Sequence, residues 1–212
     1  FEPSTGQLVL DHPIEEGEAL TVEYTSDPDI NNPTMFTSDE LGKLFIKHGE
    51  PNMQNTLSLA AQMAFENGAI RVLAVQGETR DLDPYWDESY YALQNEECYW
   101  LVPVVRNEDV DLYDSIILNG FNHAERMSRI ANRKERIVVS WRQPNAENEY
   151  QQTRMLIASI DQNPRISRII EGEVQTLNGS QVAAAIAGRG SGLVPIALPM
   201  TRKPLLGFTL HT

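Results

Sequence analysis

Residues 57–75, LSLAAQMAFENGAIRVLAV, decide how this chain is to be read. Leu57, Leu59, Met63 and Phe65 among Ala60, Ala61 and Ala64 make an Ala-rich apolar helix pattern. Asn67-Gly68 follows, and Gly68 (or Asn67) can take the left-handed conformation that ends a helix within a couple of residues. An Ile/Val-rich strand pattern begins at once. A strand with so little polar content fits a parallel sheet covered on both faces.

The same alternation extends outward. Upstream, Thr37 and Glu40 have capping-box spacing before a helix carrying Leu41, Leu44, Phe45 and His48, which Gly49 and Pro51 stop. The decisive helix covers 55–67 and its strand 69–75. Asp83 is an N-cap and Pro84 a first helical residue, so a helix to about 96 carries Tyr85, Trp86, Tyr90 and Leu93. A strand over 99–105 follows, and Pro103 places it at a sheet edge or near a strand end. The longest helix spans about 109–133, with Val110, Tyr113, Ile117, Phe121 (or Gly120), Ala124, Met127 and Ala131 at the helical period. Its acidic start and basic end complement the helix dipole. A strand over 135–141, a helix over 146–162 and a strand from 166 that turns into a second extended piece by 177 complete the alternation. Ser180 then caps a short helix, VAAAIAG, that Gly188 ends.

Four helix-then-strand units predict right-handed crossovers. The expected fold is α/β: a layered, mostly parallel sheet with helices on both faces. Short strands at 7–10 and 19–24 add a hairpin-like N-terminal segment. The expected organisation is an N-terminal β-rich segment (1–36), an α/β core (37–190) and an extended C-terminal segment packed on that core (191–212).

The chain has 212 residues and a formal net charge of −13 from 30 acidic and 17 basic side chains. A surface that acidic repels nucleic-acid phosphates and anionic lipid, which excludes direct nucleic-acid binding as the main expected role. No apolar run reaches bilayer length, so no membrane insertion is expected. Cys98 is the only cysteine, so no intrachain disulfide can form. Beside Tyr99 and Trp100 it reads as a buried, inert thiol. The chain opens on Phe1 without a start methionine or signal-peptide pattern, and reads as a piece of a longer polypeptide.

Open α/β sheets bind ligands in the loops beyond their strand ends. Here those loops carry Glu78, Asp81, Asp83, Glu108, Asp109 and Asp111. Such a cluster could hold Mg²⁺. Asp83, Asp109 and Asp111 equally suit helix starts, and that structural role is the expected one. GRGSG (188–192) leaves a helix instead of entering one, so it reads as a flexible connection and not a phosphate loop. His12, His48, His123 and His211 have no metal-ligand spacing. His48 reads as a terminal cation or a packed side chain. Arg126, Arg129 and Arg133 form a basic stripe, either a solvated face or a contact between subunits. The expectation is no catalytic residue, no metal and no cofactor.

Several stretches resemble the contractile tail sheath proteins of bacteriophages. They are FIKHGEPN (45–52), LSLAAQMAFENGAIRVLAV (57–75), FNHAERMSRIANRKERIVV (121–139), GSQVAAAIAGRGSGLVP (179–195) and RKPLLG (202–207). Their shared order, over about three quarters of the chain, carries the resemblance. It implies a structural subunit and not an enzyme. Such a subunit polymerises around a tail tube, meets other sheath subunits and a baseplate, and contracts to drive the tube through the host envelope. It also implies a place in the virion, with assembly in the host bacterial cytoplasm, and terminal segments that add strands to neighbouring subunits. A piece lacking part of those segments is expected to be monomeric in dilute solution. The alternative from the residues alone is an acidic α/β enzyme or ligand-binding domain using the strand-end carboxylates with Mg²⁺.

Overall fold

The computed structural model describes residues 32–76, 89–106, 113–129, 135–140, 155–157, 166–170, 172–177, 179–192 and 204–210. The strands are β1 (Thr34–Thr37), β2 (Arg71–Ala74), β3 (Trp100–Leu101), β4 (Ile137–Ser140), β5 (Met155–Ile157), β6 (Ile166–Ile170), β7 (Glu173–Thr176) and β8 (Thr209–Leu210). The helices are α1 (Leu41–His48), α2 (Thr56–Glu66), α3 (Tyr113–Arg129) and α4 (Gly179–Ser191), with further helical turns over 89–95. The expected strands at 7–10 and 19–24 lie outside the described residues.

The turn at Asn67-Gly68 forms as the sequence predicts. Gly68 has φ +104°. Its N–H donates to Phe65 O at 3.0 Å, and the Ala69 N–H donates to Ala64 O at 3.0 Å. These two bonds are the Schellman closure, which satisfies the last carbonyls of α2. At the other helix start, the Thr37 N–H and hydroxyl both donate to the Glu40 carboxylate, at 3.3 and 3.1 Å. The turn over Ser38–Glu40 that they tie is 3-10 and runs directly into α1.

The fold is mixed α/β with three small sheets among the described residues. One is parallel, in the order β3-β4-β5. Val138, Val139 and Ser140 of β4 are all fully buried. Successive strand residues point to opposite faces, so β4 is covered on both. α3 and α4 each pack on it.

The other two sheets are antiparallel, which corrects the expected direction of two strands. β2 pairs with β1, Met35 opposite Leu73 and Phe36 opposite Val72. Two helices, α1 and α2, separate these strands, whereas a parallel crossover uses one, so the chain returns running the other way. β6 pairs with β7, Ile169 opposite Val174, and with β8 through Ile166 opposite Leu210. Only residues 171 and 172 separate β6 from β7, too few for anything but a hairpin.

Two helix expectations are also corrected. Met155–Ile157, expected within a helix over 146–162, is strand β5, pairing Val139 with Leu156. A short apolar run suits either state, and the open edge of β4 supplies backbone partners that favour the strand. α4 does not stop at Gly188; it continues to Ser191. Pro103 falls beyond the end of β3, as expected for a residue that cannot donate to a ladder.

Three apolar clusters hold these pieces. Leu101, Val138, Val139, Ile116, Ile117 and Ala124 surround the parallel sheet, with Ala183 and Ala187 of α4. Leu59 and Met63 of α2 meet Ile166, Ile170, Val182 and Ala185 in a second. Phe36, Leu44, Ala61 and Ala74 form the third, under β1 and β2. α4 contributes opposite faces to the first two clusters, which is why it is apolar nearly all round.

Candidate functional site: a joint of small residues and a clamped C-terminal strand

α2 and α4 pack side by side along their lengths. The contact depends on small residues. A Cβ built on Gly188 would lie 2.2 Å from Ala64 O, and one on Gly192 would lie 2.4 Å from Gly68 O. One on Gly190 would lie 2.8 Å from the Trp100 ring. GRGSG is therefore no flexible connection: its glycines let a backbone sit directly on α2 and on Trp100. Spacing Gly188 and Gly192 four apart places both on one helix edge. Glycine there is a steric requirement, and its presence in a helix interior is tolerated for that reason.

The C-terminal stretch closes over the end of α2. The Asn67 amide donates to Met63 O at 2.8 Å and to Leu206 O at 3.0 Å, and its carbonyl accepts from the Leu206 N–H at 2.8 Å. Asn67 thus caps α2 and also pairs with Leu206 as a neighbouring strand would. Beside it, the Arg168 guanidinium forks onto Glu66 with two bonds of 2.6 Å and donates to Gly207 O at 3.0 Å. The paired carboxylate raises the pKa of Arg168 against the opposing effect of burial. β8 then pairs with β6 two residues further on.

A second polar cluster lies between α3 and the start of β4. Arg136 is fully buried. Its guanidinium donates to Leu93 O at 2.7 Å and to Glu96 O at 2.9 Å, closing the end of the 89–95 turns. It also contacts Nε2 of His123, which is 2% exposed. Tyr90 stacks on the His123 ring at 5.5 Å and donates its hydroxyl to Ile116 O at 3.1 Å. A Cβ on Gly120 would lie 2.6 Å from that hydroxyl, so Gly120 makes room for Tyr90. Burial foremost, then the cations of Arg136 and Arg126, pushes the His123 pKa down to about 4. Burial likewise lowers that of Arg136.

Glu78, Asp81, Asp83, Glu108, Asp109 and Asp111 all lie outside the described residues, as do His12, His211 and Arg133. Among the described residues no three His, Cys, Asp or Glu side chains come together as metal ligands. His48 is buried, with Nδ1 3.2 Å from Gln76 Oε1 and its ring edge-on to Phe36 at 6.0 Å. Cys98 is half-buried against the parallel-sheet cluster. Arg126 and Arg129 are exposed, and Arg129 pairs with Glu125 at 3.4 Å. A cavity of about 610 Å³ lies between β2 and the extended 98–106 segment, lined by Ala60, Ala64, Cys98, Trp100 and Ala187 among others. No helix among the described residues is long and apolar enough to cross a membrane.

Sequence reasoning missed Arg136 and the second role of Asn67. A charged residue directly before the apolar run IVVS was the available signal for the first. For the second there was none, because its partner is 139 positions away. No protein-family model matches this chain, and no curated protein matches it.

Proposed function

We propose that this chain is a structural piece of a contractile tail sheath subunit, working by assembly and not by catalysis. One observation carries the reading. The described parts of three of the segments behind the resemblance, residues 57–75, 179–192 and 204–207, gather on α2 and its terminal turn although far apart in the chain. LSLAAQMAFENG supplies α2 and Asn67, VAAAIAGRGSG supplies the glycines that seat against it, and PLLG is held at the end of α2 by Asn67 and, through Gly207, by Arg168 of β6. In this arrangement those residues serve packing and strand docking.

On this reading the partners are other sheath subunits in a helical tube, the tail tube and the baseplate. The place of action is the virion tail, after assembly in the host bacterial cytoplasm. The β3-β4-β5 sheet is the middle of a layered, mostly parallel sheet, and Arg126 and Arg129 dock against acidic loops of a neighbouring copy. Contraction draws on rearranged contacts between subunits in place of nucleotide hydrolysis. The test is electron microscopy of the longer polypeptide. Hollow tubes of contracted-sheath appearance are expected; dispersed particles together with a stoichiometric Mg²⁺ site by calorimetry would replace this reading with the metal-dependent one.

A further inference from the structure

The His123–Arg136 cluster has a property that assembly does not require and that holds whatever the chain builds. Neutral imidazole offers one acceptor nitrogen, and Arg136, which can only donate, contacts it at Nε2. Arg136 is fully buried and His123 nearly so. Among the described residues, the facing groups come from three elements. Arg136 stands at the start of β4, Tyr90 on the 89–95 turns, and Arg126 on α3 itself. Glu96 and Cys98 act on the far side, through Arg136. Nδ1 of His123 and Nε of Arg136 have no hydrogen-bond partner among the described residues. Among the described residues, the charges that act most on His123 are Arg136 and Arg126, both positive, so a proton on its ring is opposed.

We propose that the His123–Arg136 contact is an acid-operated latch that holds α3 and the 89–95 turns on the parallel sheet while His123 is neutral. Protonation turns the acceptor Nε2 into a donor and sets two cations against each other in a buried site. One must leave. If Arg136 goes, Leu93 O and Glu96 O lose their donor; if His123 goes, Tyr90 loses its stacking partner. Either movement loosens the same three elements.

The sign follows from the lowered pKa, about 4 in the folded chain against an ordinary 6.5. Between those values the unfolded chain binds the proton and the folded chain does not. The contribution to stability is therefore complete above about pH 6.5 and shrinks as pH falls toward 4.

The test compares the wild type with His123→Gln, whose amide can accept from Arg136 at any pH. Urea unfolding of both from pH 8 to pH 4 cancels the titration of the carboxylates they share. The unfolding constant of the wild type is expected to rise relative to the variant by on the order of 100-fold over that range. A ratio independent of pH overturns the proposal. A carbon-detected NMR titration of His123 in the wild type, assigned through bonds, serves if the variant fails to fold. A midpoint well below 6.5, with the Tyr90 ring resonances moving at the same midpoint, supports the latch. A His123 midpoint near 6.5 in the folded protein, or a Tyr90 ring that does not respond, overturns it.

Discussion

Arg136 shows how much one side chain can decide. A guanidinium in a dry interior is costly unless its donors are satisfied, and two of its partners are carbonyls at the end of a helical segment. Arg136→Met keeps the apolar stem and removes those donors. Each carbonyl left unpaired costs about 1–3 kcal/mol. A urea midpoint unchanged from the wild type would show that water replaces the guanidinium without loss. Asn67 carries a different load, because one amide both caps α2 and pairs with Leu206. Asn67→Ala is expected to free the C-terminal stretch well before it unfolds α2. Limited proteolysis followed by mass spectrometry should then find faster cleavage after residue 200, with the rest of the digest unaltered.

Among elements, α4 holds the most consequential contact. Gly188→Ala drives a methyl group into the Ala64 carbonyl, which sits on helix backbone and has nowhere to move. A loss of roughly 1–3 kcal/mol or more is expected from overpacking. Gly42 in α1 is the control: a Cβ there meets nothing within 4 Å. Gly42→Ala should stabilise by about 0.5–1 kcal/mol through helix propensity alone. Thermal melts of the two variants moving in the same direction would refute the view that Gly188 is there for close approach. Nothing about Gly188 in the linear sequence separates it from a helix stop. Its role depends on which backbone lies opposite.

Across the whole molecule, the net charge of −13 opposes self-association, and any lattice must overcome it with local complementarity. In dilute solution this chain is expected to sediment as a monomer; tubes or large rings from these 212 residues alone would contradict that. Adding salt screens the general repulsion, so a weak association driven by apolar contact should strengthen with ionic strength, and one driven by Arg126 and Arg129 should weaken. Analytical ultracentrifugation at two salt concentrations separates these cases.

Local signals along the chain determined what local physics decides: the end of α2 at Asn67-Gly68, the start at Thr37, the interruption at Pro103, and the alternation of helices with strands as far as β4. Each depends on neighbours a few residues away, where φ, a cap or a missing N–H dominates. Only the tertiary structure decided which strands pair and in which direction. It also turned Met155–Ile157 into a strand, carried α4 through Gly188, and brought Arg136 to His123 and Asn67 to Leu206. The reason is the same in each case. A strand edge, a buried donor or a small residue acquires its role from the group facing it, and that group is supplied by distant chain whose position no local pattern specifies.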